Sequence, residues 1–381
     1  MSWPKTLLGD VVDVLDSKRK PITKSDRKSG PYPYYGATGV VDWVDGYLFD
    51  EPLVLIGEDG AKWGAGDQSA FSIEGKTWVN NHAHVLRPHR RDLLDDWLIY
   101  FLNAADLSEY VSGMTVPKLN QGNLRQIEVP LPSLDEQKRI VSALDHVFVA
   151  LDRARANAEA NAADLSQLRE SIISSSLEVG LNPDSKRIRL AELCAIARGG
   201  SPRPISAFLT DDPHGINWIK ISDATASGKF IESTKEKIIP EGISRSRYVI
   251  SGSFLLTNSM SFGRPYILRT NGCIHDGWLV MEPDYKQVDQ EYLYYLLGSR
   301  QIYGEFDRLA AGSTVRNLNI DLVSKVLIRL PSLEKQREAV SSIVGAVGAV
   351  DELMKANEVK IADIVALRQS MLQAAFAGQL T

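Results

Sequence analysis

The chain has 381 residues, room for two or three domains at about 150 residues each, and its 44% hydrophobic and 24% charged content suits ordinary water-soluble cores. A net charge of −5 argues against a simple basic nucleic-acid binder, although a locally basic face stays open. Cys194 and Cys273 supply neither a disulfide framework nor a cysteine zinc site, which points to a reducing cytoplasm. The start, MSWPKTLLGDVVDV, lacks a signal peptide's basic region and apolar run, and no segment approaches the roughly 18 apolar residues of a membrane span.

Residues 1–130 read as a mixed α/β globular domain, with strand-like runs at 52–57 and 77–86 and an amphipathic helix at 95–111. Residues 131–187 read as a long helix and a turn-rich linker, LNPDSKR. Pro132 cannot sit inside the helix, Ser133 is a good N-cap, and Asp135 and Glu136 place negative charge in the first turn. Apolar residues then recur at heptad spacing: Ile140, Leu144, Val147, Leu151, Ala154, Ala158, Leu165, Leu168, Ile172 and Val179. Residues 188–330 read as a second mixed α/β domain, the one net-basic part, with strand-like runs at 253–258 and 273–281 and a helix at 290–306. Residues 331–381 repeat the long helix, with Pro331, Ser332 and Glu334 at its entry and Ile343, Ala346, Val350, Leu353, Ile364, Leu367 and Met371 along the seam.

The repetition is the strongest signal. Segments 131–181 and 330–380 align without a gap at an offset of 199, with sixteen of 51 positions identical, among them Gln137/Gln336, Asp152/Asp351 and Arg169/Arg368. The same offset aligns GMTVPKLN (113–120) with GSTVRNLN (312–319). Asn161 and Lys360 fall at equivalent seam positions, where a polar residue trades stability for register. Each helix of roughly 44 residues would be about 66 Å long at ~1.5 Å per residue.

These residues resemble the specificity subunits of Type I restriction–modification systems. The duplicated L-P-S-L-x-x-Q helix entry carries the resemblance, together with YYGATGV (34–40), NNHAHVL (80–86) and the G-x-T-V-x-x-L-N segment ahead of each helix. The resemblance covers essentially the whole chain. It implies a non-catalytic protein whose two globular domains each read one half of a split double-stranded DNA site. It also implies two antiparallel helices that set the gap between half-sites and dock two methyltransferase subunits. No cofactor is expected in this chain: S-adenosylmethionine, and ATP with Mg, belong to the methyltransferase and restriction subunits.

Loops rich in basic and aromatic residues supply candidate DNA contacts. In the first domain these are Lys18, Arg19, Lys20, Lys24, Arg27, Tyr34, Tyr35, Lys62, Asn81, His82 and Lys118. In the second they are Arg203, Arg245, Arg247, Asn258, Arg264 and Arg316. Arginine binds guanine bidentately and asparagine binds adenine, so Asn81, Asn258, Arg264 and Lys62 are the candidate base readers.

Enzyme readings find little support. Asn182-Pro183-Asp184 lacks the second proline and the aromatic residue of an amino-methyltransferase loop. AFSIEGKT (70–77) has Ala70 in place of a P-loop's first glycine and runs into a strand, not a helix. Asp67, Glu74 and Lys76 imitate a nuclease triad at a common spacing. His82 and His84 alternate on a strand and would share a face, but lack an evident third metal ligand. The reading from a different class is a coiled-coil scaffold that binds proteins alone.

Overall fold

The structure, a computed structural model, describes residues 3–113, 115–182, 185–259, 262–310 and 317–380. The chain forms two compact units, Met1–Ala160 with Asn357–Thr381, and Asn161–Ala356. Each unit contains one globular domain and part of each long helix.

In the first unit, Val12–Val14, Ala83–Pro88, Leu53–Gly57 and Ala70–Ile73 form one antiparallel sheet in that order. The second sheet runs Gly39–Val44, Tyr32–Gly36, Lys76–Val79, Phe49–Asp50, with the middle two strands parallel. All five residues of Leu53–Gly57 are buried, as expected for a strand covered on both faces. The second unit repeats the plan. Cys194–Arg198, Trp278–Pro283, Phe254–Thr257, Pro265–Leu268 and Phe230–Ile231 make one sheet. Leu209–Thr210, Glu236–Ile238, Ile216–Ile219, Gly272–Ile274 and Arg247–Val249 make the other, again with one parallel pair, Ile216–Ile219 beside Gly272–Ile274.

The runs 77–86 and 273–281, expected as single strands, each divide between the two sheets of their unit. A side chain breaks each run. Asn80 Oδ1 accepts from His82 N at 2.8 Å, and His275 Nδ1 accepts from Gly277 N at 2.9 Å. Such local bonds to the backbone two residues on compete with strand pairing. The expected helix at 95–111 stops at Ala104, and the one at 290–306 divides at Ser299, whose backbone is extended.

The long helices run Leu134–Leu177 and Leu333–Phe376, each 44 residues. Ser133 Oγ accepts from Glu136 N, and Ser332 Oγ from Lys335 N, both at 3.4 Å. Gln137 and Gln336 are wholly buried just inside the helices. Gln137 accepts from Leu94 N at 2.9 Å and donates to Asp92 O and Pro132 O at 2.8 and 2.9 Å. Gln336 accepts from Asp289 N at 2.8 Å and donates to Gln287 O and Pro331 O at 2.9 Å. The glutamine of the repeated motif thus ties each helix to the loop leading into the short helix of its own domain.

The helices pair antiparallel within each unit. In the first, Arg368 donates to Asp152 at 2.7 Å and lies 4.1 Å from the Phe148 ring centroid, and Asn357 Nδ2 donates to Ala158 O at 2.8 Å. In the second, Arg169 donates to Asp351 at 3.0 Å. The identical Asp/Arg positions of the repeat therefore make two pseudo-symmetric ion pairs. The inward positions also keep the offset: Ile140, Leu144, Phe148, Leu151 and Ala158 correspond to Ala339, Ile343, Val347, Val350 and Asn357.

The expected seam differs from this at six residues. Leu168, Leu353 and Leu367 are 48%, 56% and 49% exposed. Arg169 and Arg368 take the inward positions beside Leu168 and Leu367, covering the seam with their aliphatic stems while their guanidiniums reach the partner helix. Val179 is exposed beyond the helix end. Asn161 and Lys360 face solvent; Asn357 is the polar seam residue instead. Of the remaining seam candidates, Ile140, Leu144, Leu151, Ile343 and Val350 are buried, and Val147, Leu165, Ile172, Ile364 and Met371 are half-buried.

Candidate nucleic-acid interface

In each unit the turn that splits the long strand run gathers candidate residues. In the first unit this is Asn80–His82. Asn81 and His82 are exposed, and His82 Nδ1 lies 2.5 Å from Asp59 Oδ1. Beneath them is a buried network of opposite charges. Arg19 donates to Glu58 at 2.5 Å and to Ala83 O at 2.7 Å, and sits 3.2 Å from Asp16. Lys118 Nζ is 2.8 Å from Glu58. His84 lies between Asp16 Oδ2 at 2.6 Å and Leu119 O at 2.7 Å. Burial opposes the charged form of Asp16, but hydrogen bonds from His84 and Val85 N, with Arg19 nearby, outweigh it and hold the carboxyl below its usual range. Glu58 is lowered in the same way, burial being overcome by Lys118 and Arg19. Lys118 is raised in turn by Glu58.

This network changes the status of several candidates. Arg19 and Lys118 are held by carboxylates within the domain. Arg27 is held as well: it donates to Asp42 at 3.0 Å and stacks 4.6 Å from the Tyr34 centroid. Tyr34 is only 1% exposed, and its hydroxyl accepts from Ile22 N at 2.9 Å. Arg27 and Tyr34 thus pin the 16–28 loop, while Tyr35 is half-buried. Lys18, Lys20, Lys24 and Lys62 are exposed and form no side-chain ion pair among the described residues. His82 and His84 do not share a face, because His82 is in the turn and His84 is buried on the strand. Asp16, Glu58 and His84 offer ligand atoms within 4.8 Å of one another, but Arg19 and Lys118 already neutralise the two carboxylates.

In the second unit the turn is His275–Gly277, and Asp276 is its hub. Asp276 accepts from Ser201 Oγ at 2.7 Å and from Arg203 at 3.4 Å, while its carbonyl accepts from Arg198 and Asn258 at 2.9 and 3.0 Å. The Ser201 hydrogen bond does most to hold the Asp276 carboxyl below its usual range. Burial lowers the neighbouring His275. A Cβ on Gly199 would meet His275 O at 2.1 Å, so the RGGSPRP loop lies directly on this turn. Asn258, a candidate base reader, is 1% exposed and spent on Asp276 O. Arg203, Arg245, Arg247 and Arg264 are exposed. Arg247 donates to Arg198 O at 2.7 Å, and Arg245 lies 5.5 Å from the Phe208 centroid. Arg316 lies outside the described residues.

Glu58 and Asn258 are structural equivalents. Their N–H groups donate to His82 O and Gly277 O at 2.8 and 3.0 Å. Their carbonyls accept from Leu119 N and Leu318 N, both at 2.8 Å, and these leucines stand at the repeat offset. Basic composition points to lysines and arginines, whereas the acids Asp16, Glu58 and Asp276 organise both turns through partners distant in sequence. The glutamines were visible as identities without a role.

A model of the Type I restriction modification DNA specificity domain matches the chain twice, over residues 2–161 and 182–361. The chain belongs to this family. Among its curated family relatives, a type I restriction enzyme specificity subunit of Haemophilus influenzae is 28% identical over 345 residues, covering 88% of this chain and 85% of the relative. The EcoDI specificity subunit of Escherichia coli is 22% identical over 415 residues, covering 100% and 89%. The family fold is shared with a solved structure concerning assembly and conformational transition of the type I R-M system, at TM-score 0.78 and 18% identity, covering 100% of this chain and 98% of that one. The HsdS subunit of Thermoanaerobacter tengcongensis aligns at TM-score 0.55 and 18% identity, covering 100% and 97%.

Proposed function

We propose that this chain is the DNA sequence-recognition subunit of a Type I restriction–modification complex, each globular domain reading one half of a bipartite site. The observation that carries this is duplication of the recognition fold within one chain: two family matches, each with the same turn and the same glutamine anchor. The chain is a recognition subunit, not an enzyme. Phosphate contacts would position it and side chains beside the two turns would read bases. The exposed candidates Lys18, Lys20, Lys24, Lys62, Asn81, His82, Arg203, Arg245, Arg247 and Arg264 are the contact set we favour. Two methyltransferase subunits would dock on the long helices, one to each unit, and restriction subunits would join them. S-adenosylmethionine, ATP and Mg would be held by those partners. The assembly would act on DNA in the cytoplasm. Among the described residues no helix is long and apolar enough to cross a membrane.

The test is binding of a split-site DNA library by the chain reconstituted with its methyltransferase, followed by mapping of methylated adenines in the host genome. Selection of two short half-sites separated by a fixed gap is expected. Protein assembly without sequence preference would leave only the scaffold reading.

A further inference from the structure

The second unit carries a two-stranded ribbon, Arg187–Arg189 against Leu327–Arg329, in which Arg187 and Arg329 are directly opposite. Like charges directly opposed on a strand pair destabilise it. Neither guanidinium has an acidic partner among the described residues. The first unit avoids the problem at its own ribbon: Lys5 stands opposite Pro130 and donates to Glu128 at 2.9 Å.

The two arginines line a cavity of about 1020 Å³ together with Lys325, Arg264 and the C-terminal half of the first long helix. Lys325 and Arg264 also lack side-chain partners among the described residues. Other charges on the wall are compensated, Arg300 by Glu170 at 3.3 Å and Arg308 by Glu305 at 2.8 Å. Glu178 is the lining acid without an ion-pair partner among the described residues, against four such cations. The groove is therefore locally basic on an acidic protein, and it retains an unfavourable arginine pair that an anion would relieve.

We propose that this groove takes the phosphodiester backbone of DNA beside the bases read by the second domain, clamped by Arg187 and Arg329. The position of the clamp next to a reading face rests on the proposed function. Two features favour DNA over an acidic protein segment. The guanidinium fork binds phosphate bidentately. Arg264 also ties the groove to the candidate reading turn: its N–H donates to Thr257 Oγ1 and its carbonyl accepts from Thr257 N, both at 3.0 Å, and the next residue, Asn258, donates to Asp276 O of that turn at 3.0 Å.

The experiment measures binding of the full-length chain to a random-sequence duplex across a salt series, which needs no knowledge of the target site. R187Q/R329Q should weaken binding at low salt and reduce the slope of log K against log salt by about 1.8, the value for two lost phosphate contacts at ~0.9 each. R187K/R329K should keep most of the slope, which controls for loss of the fold. In the complex with its methyltransferase, the double glutamine variant should weaken cognate and non-cognate DNA alike and leave the selected half-sites unchanged. An unchanged slope, or no duplex binding by the unmodified chain, overturns the clamp. An unchanged slope with loss of methyltransferase assembly instead makes the groove a protein interface. Absence of sequence preference in the unmodified complex would count against the proposed function and leave the salt slopes to judge the clamp.

Discussion

Gln137 makes three hydrogen bonds from a site with no solvent exposure, and every partner is a backbone atom. Its removal leaves buried groups of the 92–94 loop unsatisfied at about 1–3 kcal/mol each. Q137A and Q336A should each destabilise their own unit by on the order of 3 kcal/mol, read by urea unfolding and by hydrogen exchange in the loops at 92–94 and 287–289. Asp16 gives a pH-dependent counterpart. Its ordinary value is 3.8 and its folded value is lower, because His84, Val85 N and Arg19 outweigh burial. The stability it contributes is intact above 3.8 and is lost as pH falls through the folded value. D16N should therefore be less stable than the unmodified chain at neutral pH, with the gap closing on the acid side. A gap constant with pH would remove Asp16 from the acid limb.

At the scale of elements, the helix pair separates two kinds of contact. L144A should cost about 2–5 kcal/mol, since Leu144 is fully buried, whereas L168A at a half-exposed position should stay within about 0.5 kcal/mol. The Asp152–Arg368 and Asp351–Arg169 pairs are partly solvated, with side-chain exposures from 32% to 66%. A double-mutant cycle on either should return about 0.2–1 kcal/mol. R368A should cost more than D152A, because it also removes the stacking on Phe148. Equal costs would assign Arg368 to the ion pair alone.

At the scale of the whole molecule, both partition points fall within long helices, after Ala160 and after Ala356. If the helices set the gap between half-sites, four residues inserted near Ala158 lengthen that helix by about 6 Å. Such an insertion nearly keeps the apolar face. The expected methylome has the same half-sites and a longer spacer; an unchanged spacer with activity retained would show that the helices do not measure the site. The glutamine anchors grip backbone, so they accept any domain presenting the same loop. Replacing residues 1–130 with a relative's matching domain should change one half-site only.

The sequence by itself determined the duplication, the two helices and their starts, because proline, a serine cap and heptad spacing act over a few neighbouring residues. The repeat offset also exposed Gln137/Gln336, Asp152/Asp351 and Arg169/Arg368 as important positions. Tertiary structure decided what those positions do, since a partner such as Asp351 for Arg169 is distant in sequence. It decided the helix register too: spacings through Leu168 and through Arg169 are both good heptads, and only packing selects the arginine stem. It also separated held cations from open ones. Arg19 and Lys20 are adjacent and chemically alike, yet Arg19 is consumed by Asp16 and Glu58 while Lys20 is exposed to solvent. Pairing of that kind is set by which strand ends the fold brings together, and local composition carries no record of it.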